Sequence, residues 1–182
     1  MTHVVVLVGS LRADSVNRQI AESLRQLAPG DTVIDIVDGL GDLPFYNEDL
    51  DGDSVPEDVT RVRELVGRAD RVLAVTPEYN ATMPAVLNNA IDWLSRPYGV
   101  GALVGKPFGV IGVTPTPYGG KWAHEDARRS VKIAGALVVE DVAVSQTSID
   151  VDVLNDPEVE AKLRAALVTL VDFDAEAASP AA

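Results

Sequence analysis

Apolar residues fall along this chain in two alternating rhythms. Short β-branched runs recur at HVVVLVG (3–9), TVIDIVD (32–38), RVLAVT (71–76), PFGVIGV (107–113) and LVVEDVAVS (137–145), and each predicts a strand. Between them, apolar positions return at helical spacing. Ile20, Leu24 and Leu27 follow the first run; Met83, Val86, Leu87, Ala90, Ile91 and Leu94 follow the third, matching the i, i+3, i+4, i+7 pattern of an amphipathic helix. Further helices are predicted from near Glu57, just after Pro56, to Arg68, from about Lys121 to Ala134, and from about Glu158 to Val171 with Val159, Leu163, Leu167 and Leu170 inward. Strands alternating with helices in this order predict an α/β fold: a five-stranded parallel sheet covered on both faces and joined by right-handed crossovers.

Residues 1–171 read as one domain, and the end, DFDAEAASPAA (172–182), as a loose tail, because it has no periodicity. Segment 38–56, DGLGDLPFYNEDLDGDSVP, is acidic and long for a connection. It is either an excursion beside a site or a surface loop. Phe45 and Tyr46 cover a ligand in the first case and anchor the loop on the core in the second.

Composition narrows the chemistry. A formal net charge of −13 repels nucleic acid and the anionic face of a membrane, so an anionic ligand needs basic and amide groups gathered in one place. Cysteine is absent, which removes disulfides, thiolate metal sites and cysteine nucleophiles. Redox chemistry then has to come from a bound cofactor. The chain enters its first strand without a signal-like segment, and no apolar run is long enough to span a bilayer, so a cytoplasmic location is expected.

Three polar stretches carry more hydrogen-bonding groups than a connection needs: GSLRADSVN (9–17) after the first strand, PEYNATMP (77–84) after the third and TPTPYGG (114–120) after the fourth. Loops that follow parallel strands emerge at one edge of the sheet. In the strand order 2-1-3-4-5 these three strands are neighbours, so their loops line one crevice. In the first loop, Ser10, Ser15 and Asn17 can donate hydrogen bonds, Arg12 brings charge, and the following helix aims free N–H groups and its positive dipole end inward. That is the chemistry of a phosphate cradle; the plainer reading has Ser15 or Asp14 capping the helix and Arg12 in solvent. In the second, Pro77 ends the strand and the amides of Glu78, Tyr79 and Asn80 can hydrogen-bond a flat heterocycle, although Asn80 also suits a turn and Glu78 a helix start. In the third, Pro115 and Pro117 fix a course, Thr114, Thr116 and Tyr118 offer hydroxyls, and Gly119 and Gly120 let the backbone approach a ligand. A helix entry turn would use the same residues.

Competing motifs are incomplete. GVGALVG (99–105) precedes a strand and has the wrong last spacing for a dinucleotide fingerprint, and GGK (119–121) lacks the upstream glycine and following Ser/Thr of a P-loop. No G-x-S-x-G elbow is present, and HED at 124–126 is not a helical zinc pair, so no metal site is expected and His3 and His124 read as ordinary surface residues.

GSLRADSVN before an amphipathic helix, PEYN before MPAVLNNAIDWLSRP, and a glycine-containing loop after the fourth strand together resemble the NAD(P)H-dependent FMN reductase family, a flavodoxin-like group that includes chromate, quinone and azo-dye reductases. The resemblance reaches to about residue 171. It implies a flavodoxin-like three-layer sandwich with bound FMN. Ser10, Arg12, Ser15, Val16 and Asn17 would hold the phosphate, Pro77, Glu78, Tyr79 and Asn80 would border the isoalloxazine, and Thr114, Pro115, Thr116, Tyr118, Gly119 and Gly120 would flank the ribityl chain and ring. The third loop departs from the family's Ser- and Gly-rich sequence at Thr114-Pro115-Thr116-Pro117.

The resemblance further implies hydride transfer from NAD(P)H to FMN, then electron transfer to a small acceptor such as a quinone, flavin, azo compound, chromate or ferric chelate. It also implies a homodimer or homotetramer whose neighbouring subunits help wall the flavin; Tyr79 and Trp93 then lie beside the ring site, or else Trp93 packs in the core of its own subunit. The alternative is a flavodoxin-like electron carrier without direct NAD(P)H oxidation. Arg12 within the phosphate loop, and few aromatic residues to shield the flavin, favour the enzyme. No side chain is assigned a catalytic role, because the hydride step needs no protein acid and the cofactor carries the redox chemistry.

Overall fold

The computed structural model of this chain describes residues 1–52 and 54–178. Among them, strands β1 (His3–Val8), β2 (Val33–Ile36), β3 (Arg71–Val75), β4 (Pro107–Thr114) and β5 (Leu137–Thr147) form one parallel sheet in the order β2-β1-β3-β4-β5. Side chains alternate across a strand, so β1 feeds both layers of the core. Val4, Val6 and Val8 pack with Ile20 and Leu24 of α1 (Val16–Leu27) and Leu163 and Leu167 of α5 (Pro157–Val171). Val5 and Leu7 belong to the opposite layer, under α2 (Glu57–Arg68), α3 (Ala85–Leu94) and α4 (Lys121–Ile133). Every residue of β4 is buried, which is why its sequence reads as continuously apolar.

Element ends follow local chemistry. Helix α3 starts at Ala85, later than the apolar rhythm suggests, with Pro84 at its N-cap, while Met83 is buried ahead of it. Helix α5 opens with Pro157 in its first turn, where a missing N–H costs nothing, and Asp156 caps it by accepting from the N–H groups of Glu158 and Val159.

Segment 38–56, of which residue 53 lies outside the described residues, is a surface loop with two short 3-10 turns, Leu40–Asp42 and Glu48–Leu50. Its middle is pinned to α3. The Trp93 indole donates to the carbonyl of Pro44 at 2.8 Å, Asn89 accepts the N–H of Tyr46 at 2.8 Å, and the rings of Tyr46 and Trp93 meet edge-on with centroids 4.9 Å apart. Tyr46 therefore anchors the loop, whereas Phe45 stays exposed. Trp93 is buried in its own subunit's core, the second of the two readings given for it above. Of the tail, Phe173 packs on the core and Ala175–Ala178 form a short helix, α6; residues 179–182 lie outside the described residues.

Candidate functional site

The loops after β1, β3 and β4 meet at the carboxyl edge of three adjacent strands. In the first, Ser15 is the N-cap of α1, its hydroxyl oxygen accepting the N–H of Arg18 at 3.2 Å. That leaves the N–H groups of Val16 and Asn17 at the helix end, together with the Ser10 hydroxyl and the exposed Arg12 guanidinium, without partners among the described residues. Arg18 is committed elsewhere, to Asp38 at 2.7 Å and Glu22 at 3.0 Å. Arg12 is therefore the cation this loop offers to a ligand, alongside two helix-end amides and the positive end of the dipole.

The side chain of Asn17 does something else. Its Oδ1 accepts the N–H of Val113 at 2.9 Å, its Nδ2 donates to the carbonyl of Val113 at 2.8 Å, and the residue is buried. The cause lies in β3. Thr76 N–H makes the last rung to Ile111 at 3.0 Å, and Pro77 then turns the chain out of the sheet. Val113, two residues on, is left facing an unfilled rung, and the Asn17 amide completes it. The Asn17 side chain, expected to donate to a phosphate, is instead spent on clamping α1 to β4, and the residue leaves its backbone N–H open at the helix end.

The second loop folds into a two-residue hairpin. Tyr79 and Thr82 exchange N–H to carbonyl bonds of 3.1 Å each, with Asn80 at φ 53° and Ala81 at φ 58° between them, both left-handed as a type I′ turn requires. The Tyr79 amide is therefore engaged, and those of Glu78 and Asn80 remain for a heterocycle. The Glu78 carboxylate faces away from that role. Its Oε2 accepts the N–H groups of Trp122 at 2.9 Å and Ala123 at 3.1 Å, capping α4, whose own N-cap residue, Gly120, has no side chain to do so.

In the third loop, Thr114 is buried, Pro115 is exposed, and the buried Thr116 Oγ1 has no hydrogen-bond partner among the described residues. A buried hydroxyl left unpaired is free to bond a ligand. Gly119 has φ 63°, and a Cβ there would stand 2.4 Å from the carbonyl oxygen of Ser145, so the loop can press this close to β5 only with glycine.

Two features escaped the sequence reading. Tyr118 and Trp122 pair with ring centroids 4.5 Å apart and remain partly exposed, so this loop presents two aromatic rings to solvent. His124, expected at the surface, is 0% exposed, with its ring between Thr76 and Ser145. Burial lowers its pKa to about 4, with the positive charge of Arg128 acting the same way and the bond to the Thr76 carbonyl opposing. The signal was present in the helical phase: His124, Ala127 and Val131 share the buried face of α4.

These donors fit FMN: helix-end amides, a hydroxyl and a cation for the phosphate, and free loop amides with an orphaned hydroxyl for the remainder. Residues 2–149 match the family described as NADPH-dependent FMN reductase. A quinone reductase of Pseudomonas putida is 48% identical over 128 residues, covering 70% of this chain and 68% of that one. An NAD(P)H-dependent FMN reductase of Pseudomonas aeruginosa is 36% identical over 156 residues, covering 86% and 75% respectively. Among solved structures, the flavoenzyme NAD(P)H:(acceptor) oxidoreductase FerB from Paracoccus denitrificans superposes with a TM-score of 0.85 at 34% identity, covering 97% of this chain and 98% of that one. Sequence, fold and site agree: this chain belongs to the NADPH-dependent FMN reductase family, and it is an oxidoreductase with FMN as cofactor and NAD(P)H as electron donor.

Proposed function

We propose that this chain is a quinone reductase in which nicotinamide and acceptor use one crevice in turn. The observation that carries this reading is the convergence, at the edge of β1, β3 and β4, of unpartnered donors from loops 9–17 and 114–120. The likeness to quinone reductases supports the choice of acceptor. Bound FMN supplies the chemistry of hydride acceptance and electron release; the protein binds, orients and excludes. In this reading Ser10, Arg12, the Ser15 hydroxyl proton and the N–H groups of Val16 and Asn17 hold the phosphate. The amides of Glu78 and Asn80 and the Thr116 hydroxyl border the ring and ribityl chain, with Tyr118 and Trp122 at the lip. Sharing one crevice gives ping-pong kinetics.

A homodimer is part of the proposal. Its support is a cavity of about 540 Å³ where α3 and α4 end, lined by Ile91, Asp92, Tyr98, Arg129 and Ile133, with Tyr98, Val100 and Ile133 strongly exposed around it. Exposed apolar side chains around a cavity favour a partner, and a second copy of this chain brings the same surface. We also place the reaction in the cytoplasm, where NAD(P)H is available; no helix of the described residues is long and apolar enough to cross a membrane.

The test is purification with an absorbance spectrum, then anaerobic addition of NADH and of NADPH, then a quinone. Direct bleaching of the flavin followed by its recovery is the expected result. If neither nicotinamide bleaches it while a separate reductase does, the protein is an electron carrier.

A further inference from the structure

We infer that His124 is a positioning residue for the flavin ring: it ties the loop after β3 to the start of α4, so that the edge receiving the isoalloxazine is assembled before the cofactor arrives. This rests on the FMN-binding reading above. Where β3 leaves the sheet, two groups lose their ladder partners, the N–H of Val113 and the carbonyl of Thr76. Asn17 takes the first. Pro77 offers no N–H, and the Thr76 hydroxyl is spent on the Pro77 carbonyl at 2.9 Å. The Thr76 carbonyl finds its donor in the Nε2 of His124, 3.4 Å away. One tautomer serves both ring nitrogens: with the proton on Nε2, Nδ1 accepts from the Ser145 hydroxyl at 2.8 Å.

The ring occupies a slot made for it. A Cβ at Gly112 would stand 1.9 Å from the Thr76 carbonyl oxygen and 2.9 Å from Nε2, so glycine there makes room for both partners of this bond, and one at Gly120 would stand 3.2 Å from Nε2. The imidazole thus sits between the end of β3, the middle of β4, the entry of α4 and β5. A second tie runs parallel: Glu78, two residues past Thr76, accepts the N–H groups of Trp122 and Ala123, the residues just before His124. Residues 76–78 and 122–124 are joined at two points. Between them lies a hairpin with Asn80 and Ala81 in the left-handed region, a conformation that persists only where the surroundings over-determine it. Burial keeps the imidazole neutral at physiological pH, the state in which this pair of bonds forms. Ordering the ring-binding edge in advance removes that cost from binding, and it acts at the ring end of the flavin, because the phosphate end is fixed separately through Asn17.

The test compares FMN with riboflavin, which has the ring but no phosphate. His124→Phe keeps an aromatic ring without either bond, and it should weaken binding of both flavins by the same factor of about ten, the equivalent of 1.4 kcal/mol. His124→Gln, which retains an amide to bond one partner, should lose about threefold or less. Dissociation constants come from quenching of flavin fluorescence, with a cooperative thermal melt as the check on folding. A purely structural role would lower the melting temperature and leave both affinities unchanged, and a role at the phosphate would weaken FMN alone; either result overturns the inference. Should His124→Phe fail to fold, Ser145→Ala decides, since it removes one ring bond and leaves the imidazole in place. Equal weakening of both flavins supports the inference, and unchanged affinity overturns it. A wild-type protein that bound no flavin would overturn both this inference and the cofactor reading, whereas wild-type binding with an indifferent His124→Phe removes only the role of His124.

Discussion

Replacing Asn17 separates a structural clamp from a phosphate ligand. In Asn17→Ala, the N–H and carbonyl of Val113, both in a buried strand, lose their partners together. Two hydrogen bonds at about 1 kcal/mol each, plus a share of the penalty for unsatisfied buried groups, give a loss of about 2–4 kcal/mol. For a chain of this size that lowers the melting temperature by about 6–12 °C. Asn17→Asp is the sharper probe because it keeps the shape. One carboxylate oxygen still accepts from the Val113 N–H, but the other faces the Val113 carbonyl at a distance where the amide donated, 2.8 Å. The ionised form is therefore destabilised in the folded state, and the pKa of the new carboxyl rises above its unfolded value. Protonation restores a donor, so the deficit relative to wild type should be full near pH 7.5 and shrink as pH falls toward 4. Urea denaturation of the three proteins at both pH values measures this. If Asn17→Ala melts with the wild type and loses FMN but not riboflavin, the clamp is wrong and the side chain is a phosphate ligand.

Arg12→Ala should weaken FMN by about 1.5–3 kcal/mol and leave riboflavin unaffected, as flavin titrations will show; equal effects on both would return Arg12 to solvent. Ala81→Gly should raise stability by about 1 kcal/mol, because the left-handed φ of 58° is a strain glycine does not feel, and a lowered melting temperature would contradict the type I′ hairpin. Acid should destabilise the protein partly through His124. Its folded pKa, about 4, lies below its usual 6.5, so the unfolded chain takes up the proton first. The contribution is present above pH 6.5 and falls away as pH drops to 4, by about 3 kcal/mol in total, and urea curves should show wild type losing that much stability relative to His124→Gln across this window.

What the chain discloses on inspection is its periodicity. The five strands and the five main helices follow from runs of apolar residues, while the order β2-β1-β3-β4-β5, and with it the meeting of three loops, follows from the resemblance to flavodoxin-like reductases. The individual roles at the site were less legible, because they depend on partners distant in the chain. Asn17 meets Val113 across 96 residues, Glu78 meets Ala123 across 45, and His124 meets Thr76 across 48. A polar residue near a ligand-like loop looks the same in sequence whether it faces the ligand or the backbone behind it. The early end of β3 decides between these, and only Pro77 hints at that end.

In the proposed site, that early end also gives a strongly acidic protein a means of holding an anionic cofactor. Where Pro77 takes the chain out of the sheet, a gap opens between β1 and β4, and α1 is drawn into it by the bond from Asn17 to Val113. The N-terminus of α1 is thereby fixed at the gap, presenting the N–H groups of Val16 and Asn17 with Arg12 beside them. Charges on the rest of the surface act through water and salt, which screen them beyond about 8 Å at physiological ionic strength. Amides and a guanidinium in direct contact are not screened in this way. A net charge of −13 and an affinity for phosphate are therefore compatible, provided the donors are held in place by buried bonds rather than recruited from the surface.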